Sequence, residues 1–153
     1  MSTTAVVHDT FVIERTYDHP AAKIFKAFSD AELKRRWFSG PPEWGDDEHQ
    51  LDFRVGGAET SVGGPPGGPV ITFEALYREI EQDERLVITY EMHVDGALLS
   101  ISLATTELHP DGDRTRLVYT EQGVFYGGPE DVANREEGSR GLLDALDAVL
   151  SSL

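Results

Sequence analysis

From residue 69 to residue 125 the chain repeats one construction: a run with alternate residues apolar, then a short polar turn, then another such run. PVITFEALYREI (69–80) sets Ile71, Phe73, Ala75 and Tyr77 on one parity, and Gln82-Asp83-Glu84 turns the chain. RLVITYEMHV (85–94) sets Leu86, Ile88, Tyr90, Met92 and Val94 on one face. Asp95-Gly96 joins it to ALLSISLATTEL (97–108), and Pro110-Asp111-Gly112-Asp113 leads into TRLVYTEQGVF (115–125). A period of two gives each strand one dry face, and turns this short join antiparallel neighbours. Such a meander needs a cover for its dry face.

The flanking segments supply helices. HDTFVIERTY (8–17) alternates and reads as a first strand, ending at Asp18-His19-Pro20. AAKIFKAF then spaces Ala21, Ile24, Phe25 and Phe28 by three and four, a short amphipathic helix opened by Pro20. Ser29-Asp-Ala-Glu reads as a capping box, with Glu32 reaching back to Ser29, for a second short helix through Leu33 to about Trp37. Gly40-Pro41-Pro42 ends it, and EWGDDEHQ reads as an acidic loop. QLDFRV (50–55) reads as a strand broken by Gly56-Gly57, and ETSV as another short one. After Gly127-Gly128-Pro129 a long helix runs to the C-terminus. Its apolar stripe is Val132, Ser139, Leu143, Leu146, Leu150 and Leu153, widened by Leu142 and Val149, with Glu137, Arg140, Asp144 and Asp147 opposite. The order is strand, two short helices, about six antiparallel strands and one long helix, an α+β arrangement with helices on one side of the sheet.

SVGGPPGGPV (61–70) invites comparison with a phosphate-binding loop. It has no Lys, three of its residues are prolines without an N–H, and strand-like VITFEAL follows where a helix is needed. The stretch reads as a connection between antiparallel strands, with a flap over a pocket as the sharper alternative.

A chain of 153 residues suits one domain, 1–153, with the first eight residues expected to be flexible. A net charge of −15 repels nucleic acid and anionic membrane. No run of about 18 apolar residues is present, the N-terminus has no signal-peptide pattern, and there is no cysteine. The cytoplasm is the default location.

The stretch FVIERTYDHPAAKIFKAFSDAELKRRWF resembles the start of the Hsp90-ATPase-activator-like proteins, the AHSA1-type branch of the START-like (SRPBCC) superfamily. There a strand leads to a Pro-containing helix start and a short helix ending in tryptophan, the place Trp37 takes. RVGG (54–57), the run from EALYREI to DERLVITYEM, TRLVYTEQG (115–123) and the terminal GLLDALDAVL agree in order. The resemblance implies a helix-grip (START-like, Bet v 1-like) fold. In it a curved antiparallel sheet wraps a long C-terminal helix and encloses a cavity often used for lipophilic small molecules. The family's last helix often carries glycine followed by tryptophan; here the pair is Gly138-Ser139, which implies a larger or reshaped pocket.

The candidate ligand-binding residues are the inward aromatics Phe25, Trp37, Trp44, Phe53, Phe73, Tyr77, Tyr90 and Tyr119, together with Met92, Glu121, Arg135, Ser139 and Leu143. Each could equally be plain core. The tyrosines stand out because a buried hydroxyl needs a partner. Glu121 shares the parity of Leu117 and Tyr119, while Arg135 and Ser139 fall in the apolar arc of the long helix. A Glu121–Arg135 pair would be either a structural ion pair or a fixture for a ligand's polar group. His8, His19, His49, His93 and His109 are scattered, and Asp46-Asp47-Glu48-His49 reads as a solvated acidic loop, so no metal is expected. Lys34-Arg35-Arg36 reads as balancing neighbouring carboxylates. No nucleophile–base pair is legible, and no cofactor is implied.

The leading expectation is a binding protein for a lipophilic or aromatic small molecule. The alternative is a polyketide-cyclase-like or hydrolase-like enzyme, with Glu121 and Tyr119 as acid–base candidates. Stimulation of an Hsp90-type chaperone ranks below both, because the fuller eukaryotic relatives carry an additional N-terminal domain not seen in this sequence. Unchanged ATP turnover of the chaperone at saturating protein would remove it. An isologous homodimer is the default oligomer.

Overall fold

The computed structural model describes residues 6–153. The elements are β1 (Val7–Tyr17), α1 (Ala21–Ser29), α2 (Ala31–Trp37), a 3-10 turn (Pro42–Trp44), β2 (Glu48–Leu51), β3 (Ala58–Gly63), β4 (Ile71–Glu81), β5 (Arg85–Val94), β6 (Ala97–Asp111), β7 (Arg114–Phe125) and α3 (Pro129–Ser152). All strands join one antiparallel sheet in the order β1-β7-β6-β5-β4-β3-β2. From β2 to β7 every strand pairs with its sequence neighbour, as short turns require. β1 closes the other edge on β7, with Tyr17 opposite Thr115.

The meander has the expected inward set: Phe73, Ala75 and Tyr77 on β4, and Leu86 and Tyr90 on β5, are buried. Asp95 and Gly96 both take positive φ, 51° and 82°, the conformation of a two-residue hairpin that matches strand twist. Asp95 also pins the end of the Gly/Pro connection: its N–H donates to Val70 O and its Oδ1 accepts from Val70 N, both at 2.8 Å. The 61–70 stretch thus gives its first residues to β3 and uses the rest as a link to β4.

The helices pack on the inner face. Ile13, Ile24, Leu117, Phe125, Leu146 and Leu150 form the dry centre. Tyr17 Oη donates to Leu143 O at 2.8 Å, tying β1 to α3, and Trp37 Nε1 donates to Ala27 O at 3.0 Å, tying α2 to α1.

Four expectations need correction. The cap of α2 is Asp30, whose Oδ1 accepts from Leu33 N at 3.1 Å; Ser29 ends α1 and turns its hydroxyl to Lys26 O. Helix α1 stops one residue later than the pattern suggested, so the box closes on the wrong residue. The strand placed at 50–55 ends at Leu51, because Asp52–Gly57 folds into a turn in which Gly57 N donates to Arg54 O. A Cβ at Gly57 would lie 2.1 Å from Asp52 O, which explains the glycine. The flexible segment was set at 1–8, but Val7 and His8 already pair with Phe125 and Val124; residues 1–5 lie outside the described residues. The stripe of α3 ends at Leu150, since Leu153 follows the helix and is exposed.

Candidate functional site

A cavity of about 660 Å³ lies between the inner face of the sheet and helices α2 and α3. It exists because the stretch of α3 that faces it is small: Gly138, Ser139 and Gly141 line it, where larger side chains would fill it. Opposite stands a row of rings. Phe38 and Phe73 have centroids 5.0 Å apart, as do Phe73 and Tyr90, the first pair edge-on and the second tilted. Such offsets suit aromatic quadrupoles, so the row is a stable wall. Trp44 and Gly40 stand together at the 40–47 segment, where a Cβ on Gly40 would lie 2.6 Å from the indole.

Two buried polar clusters back this wall. In the first, Glu121 on β7 is fully buried and accepts hydrogen bonds from Tyr90 Oη at 2.7 Å, Ser102 Oγ at 2.8 Å and Tyr119 Oη at 2.6 Å. Arg135 on α3 donates through Nη1 to Tyr90 Oη at 2.9 Å and to Glu121 Oε2 at 3.4 Å, and through Nη2 to Ser100 Oγ at 2.8 Å. Alternate positions on β5, β6 and β7 point the same way, which is why Tyr90, Ser102 and Glu121 meet (Tyr90 pairs with Ser102, and Ser102 with Gly123). Burial raises the Tyr90 and Tyr119 phenols above their ordinary range, and the Glu121 charge adds to it. Both remain neutral donors. Burial works against the Arg135 charge, but Tyr90 and Glu121 outweigh it and its pKa rises.

The second cluster centres on Glu59 of β3, also fully buried. It accepts from Lys34 Nζ at 3.0 Å, Tyr77 Oη at 2.7 Å and His49 Nε2 at 2.8 Å. Burial alone would raise the Glu59 carboxyl. The Lys34 charge and the bonds from His49, Tyr77 and Lys34 reverse this and hold it at about 2. Burial first, and the Glu59 charge second, push the Tyr77 phenol up. Lys34 Nζ also sits 4.5 Å from the centroid of Phe38, a cation–π contact.

Of the residues singled out from sequence, Trp37, Trp44, Phe73, Tyr77, Tyr90, Met92, Tyr119, Arg135, Ser139 and Leu143 line the cavity. Glu121 stands behind it, reaching the wall through the tyrosine hydroxyls. Phe25 and Phe53 do not line it; their rings meet each other at 5.6 Å, and Phe53 meets the Tyr77 ring at 5.0 Å, as core. The Lys34–Glu59–His49 cluster was missed. His49, placed in a solvated acidic loop, has a side chain only 1% exposed. Lys34 carried a signal: it stands three residues before Trp37, on the buried face of α2. Asp46, Asp47, Glu48 and His49 do not converge, since Asp47 accepts from Gly40 N while His49 turns to Glu59.

Residues 18–151 match the family described as Activator of Hsp90 ATPase homolog 1-like protein. The chain belongs to this family. Solved structures of similar proteins agree with the helix-grip architecture. The Mll3558 protein from Rhizobium loti is 46% identical, with 95% of this chain and 99% of that one covered and a TM-score of 0.87. A putative uncharacterised protein from Rhizobium leguminosarum is 34% identical over 99% of this chain and 100% of that one, with a TM-score of 0.93. A protein from Arthrobacter aurescens is 25% identical over 99% and 94%, with a TM-score of 0.77. No curated protein matches the chain. Within this Hsp90-activator-like family fold, no helix among the described residues is long and apolar enough to cross a membrane.

Proposed function

We propose that the protein binds a lipophilic small molecule in the cavity between sheet and α3. The observation that carries this is the cavity itself: about 660 Å³, walled by aromatic rings and broken by a few convergent donors. That size and lining are those of small-molecule sites, which run to roughly 300–1,000 Å³. A cytoplasmic location and a homodimer belong to the same proposal.

The enzymatic alternative gains nothing from its candidate groups. Glu121 accepts four hydrogen bonds and does not reach the cavity, and the raised Tyr119 phenol is committed to it. Chaperone stimulation, which the family description names, finds no particular feature here that favours it over small-molecule binding.

The experiment is a fluorescence titration with 1-anilinonaphthalene-8-sulfonate, alongside a thermal-shift screen of lipophilic aromatics, polyketides and fatty acids. A ligand at 100 times its Kd adds about 2.7 kcal/mol to stability. The variant Ser139→Trp places an indole where α3 faces the cavity, and should abolish dye binding while the fold is retained. Dye binding that survives in Ser139→Trp, or that is absent from the unmodified protein, overturns the reading.

A further inference from the structure

The two buried clusters are oriented alike. In each, the carboxylate stands behind the wall, wholly buried, while its cationic partner forms part of the wall: Glu121 behind Arg135, and Glu59 behind Lys34. Each pair is neutral as a unit, but it is a dipole whose positive end faces the cavity. The donors are not used up. Lys34 Nζ has three N–H groups and spends one on Glu59. Arg135 spends its bonds through Nη1 and Nη2, and its Nε and one further N–H meet no acceptor among the described residues. Unspent donors in an apolar enclosure are costly to leave dry, and they favour a ligand that brings acceptors.

The ring row connects the two poles. Lys34 Nζ lies 4.5 Å from the Phe38 centroid at one end, and Arg135 Cζ lies 5.6 Å from the Tyr90 centroid at the other, with Phe73 between. Two carboxylates do line the cavity. Asp47 Oδ2 is taken by Gly40 N at 3.3 Å, whereas Asp131 Oδ2, close against Gly127, is buried without a hydrogen-bond partner among the described residues. Neither forms an ion pair with Lys34 or Arg135 among the described residues.

We infer that the ligand is an elongated apolar molecule with acceptor oxygens at both ends, one held by Lys34 and the other by Arg135. This inference rests on the cavity being a ligand site. The clusters give the elongated body an apolar aromatic floor and each end a hydrogen-bonding cation fixed in place by its own carboxylate.

Dodecanedioate, dodecanoate and dodecan-1-ol share one flexible chain and carry two, one and no carboxylates, so they are the probes, titrated calorimetrically at neutral pH. The diacid should bind as tightly as the monoacid or more tightly, and the alcohol more weakly than either. With no second anchor, burying the extra carboxylate would weaken the diacid by ~100-fold or more. The variant Lys34→Met/Glu59→Gln removes one pole without leaving an unpaired charge. It should lower the diacid-to-monoacid affinity ratio by about tenfold, the worth of a hydrogen bond to a charged group. If the variant does not fold, the wild-type order decides alone. A diacid more than about tenfold weaker than the monoacid, an alcohol as tight as the acids, or a ratio unmoved in the folded variant overturns the two-pole inference and leaves the cavity reading standing. No binding by any of the three overturns the two-pole inference, while the dye titration separately decides the cavity reading.

Discussion

Replacing Lys34 and Glu59 together, as Lys34→Met/Glu59→Gln, should flatten the acid limb of the stability curve. In the folded protein Glu59 is held at about 2, against an ordinary 4.5, by Lys34, His49 and Tyr77. In the unfolded chain it takes up its proton near the ordinary value. Between these two pH values the unfolded state binds about one more proton than the folded state, so stability rises with pH there. The contribution is present in full above about pH 4.5 and is lost as pH falls towards 2. At about 1.4 kcal/mol per pH unit the interval is worth about 3 kcal/mol. That agrees with the ~3–5 kcal/mol lost when one partner of a buried pair is removed. Glu59 is 0% exposed and the Lys34 side chain 7%, so water screens the pair little. The assay is urea unfolding, followed by the fluorescence of Trp37 and Trp44, in steps from pH 5 to pH 2.5. The wild-type curve should fall more steeply than the variant's, by up to about 1.4 kcal/mol per pH unit. Parallel curves would refute the reasoning, because the carboxylate would then titrate alike in the folded and unfolded chains.

Two further predictions concern single hydroxyls and carboxylates. Tyr119→Phe removes the donor at 2.6 Å from Glu121 Oε1 and should cost about 1–3 kcal/mol in chemical denaturation; a loss below about 0.5 kcal/mol would mean the hydroxyl is kept for a ligand. Asp30→Ala should cost about 1 kcal/mol by removing the cap on Leu33 N, whereas Ser29→Ala should stay within about 0.5 kcal/mol, and equal losses would restore the capping-box reading.

The meander was legible because its information is local. Alternation from Ile71 to Tyr77 and from Leu86 to Val94 fixes which side is dry, and Asp95-Gly96 starts β5 on β6 with Val94 opposite Ala97 and His93 opposite Leu98, before a bulge shifts the register by one from Met92 opposite Ser100 onward. The same logic brought Tyr90, Tyr119, Glu121 and Arg135 to one place, since three of them follow strand parity and the fourth follows helix periodicity. Glu59 was not legible. Its inward direction depends on β3 pairing with β4 so that Glu59 faces Ala75, and β3 is too short to show a pattern of its own. Its charged partner Lys34 and its partner His49 come from α2 and β2, so nothing beside Glu59 in the sequence points to them, although the place of Lys34 three residues before Trp37 marks that lysine as buried. The end of α1 was misplaced for a different reason: Ser29 and Asp30 are both good caps, and it is Asp30 whose carboxylate takes Leu33 N.

The sheet order has a consequence for how the protein is made. Strands β2 to β7 each find their partner in the segment just completed, but β1 finds its partner only in β7, with Val7 opposite Phe125. During synthesis β1 emerges ahead of the rest of this sheet and is therefore among its last strands to be housed, waiting roughly 5–20 s for the residues up to β7 at ~5–20 residues per second. Until then β7 keeps an open edge and the core lacks Phe11 and Ile13. The waiting strand is studded with His8, Asp9, Glu14 and Arg15 between its apolar positions, a composition that discourages pairing with strangers in the interval.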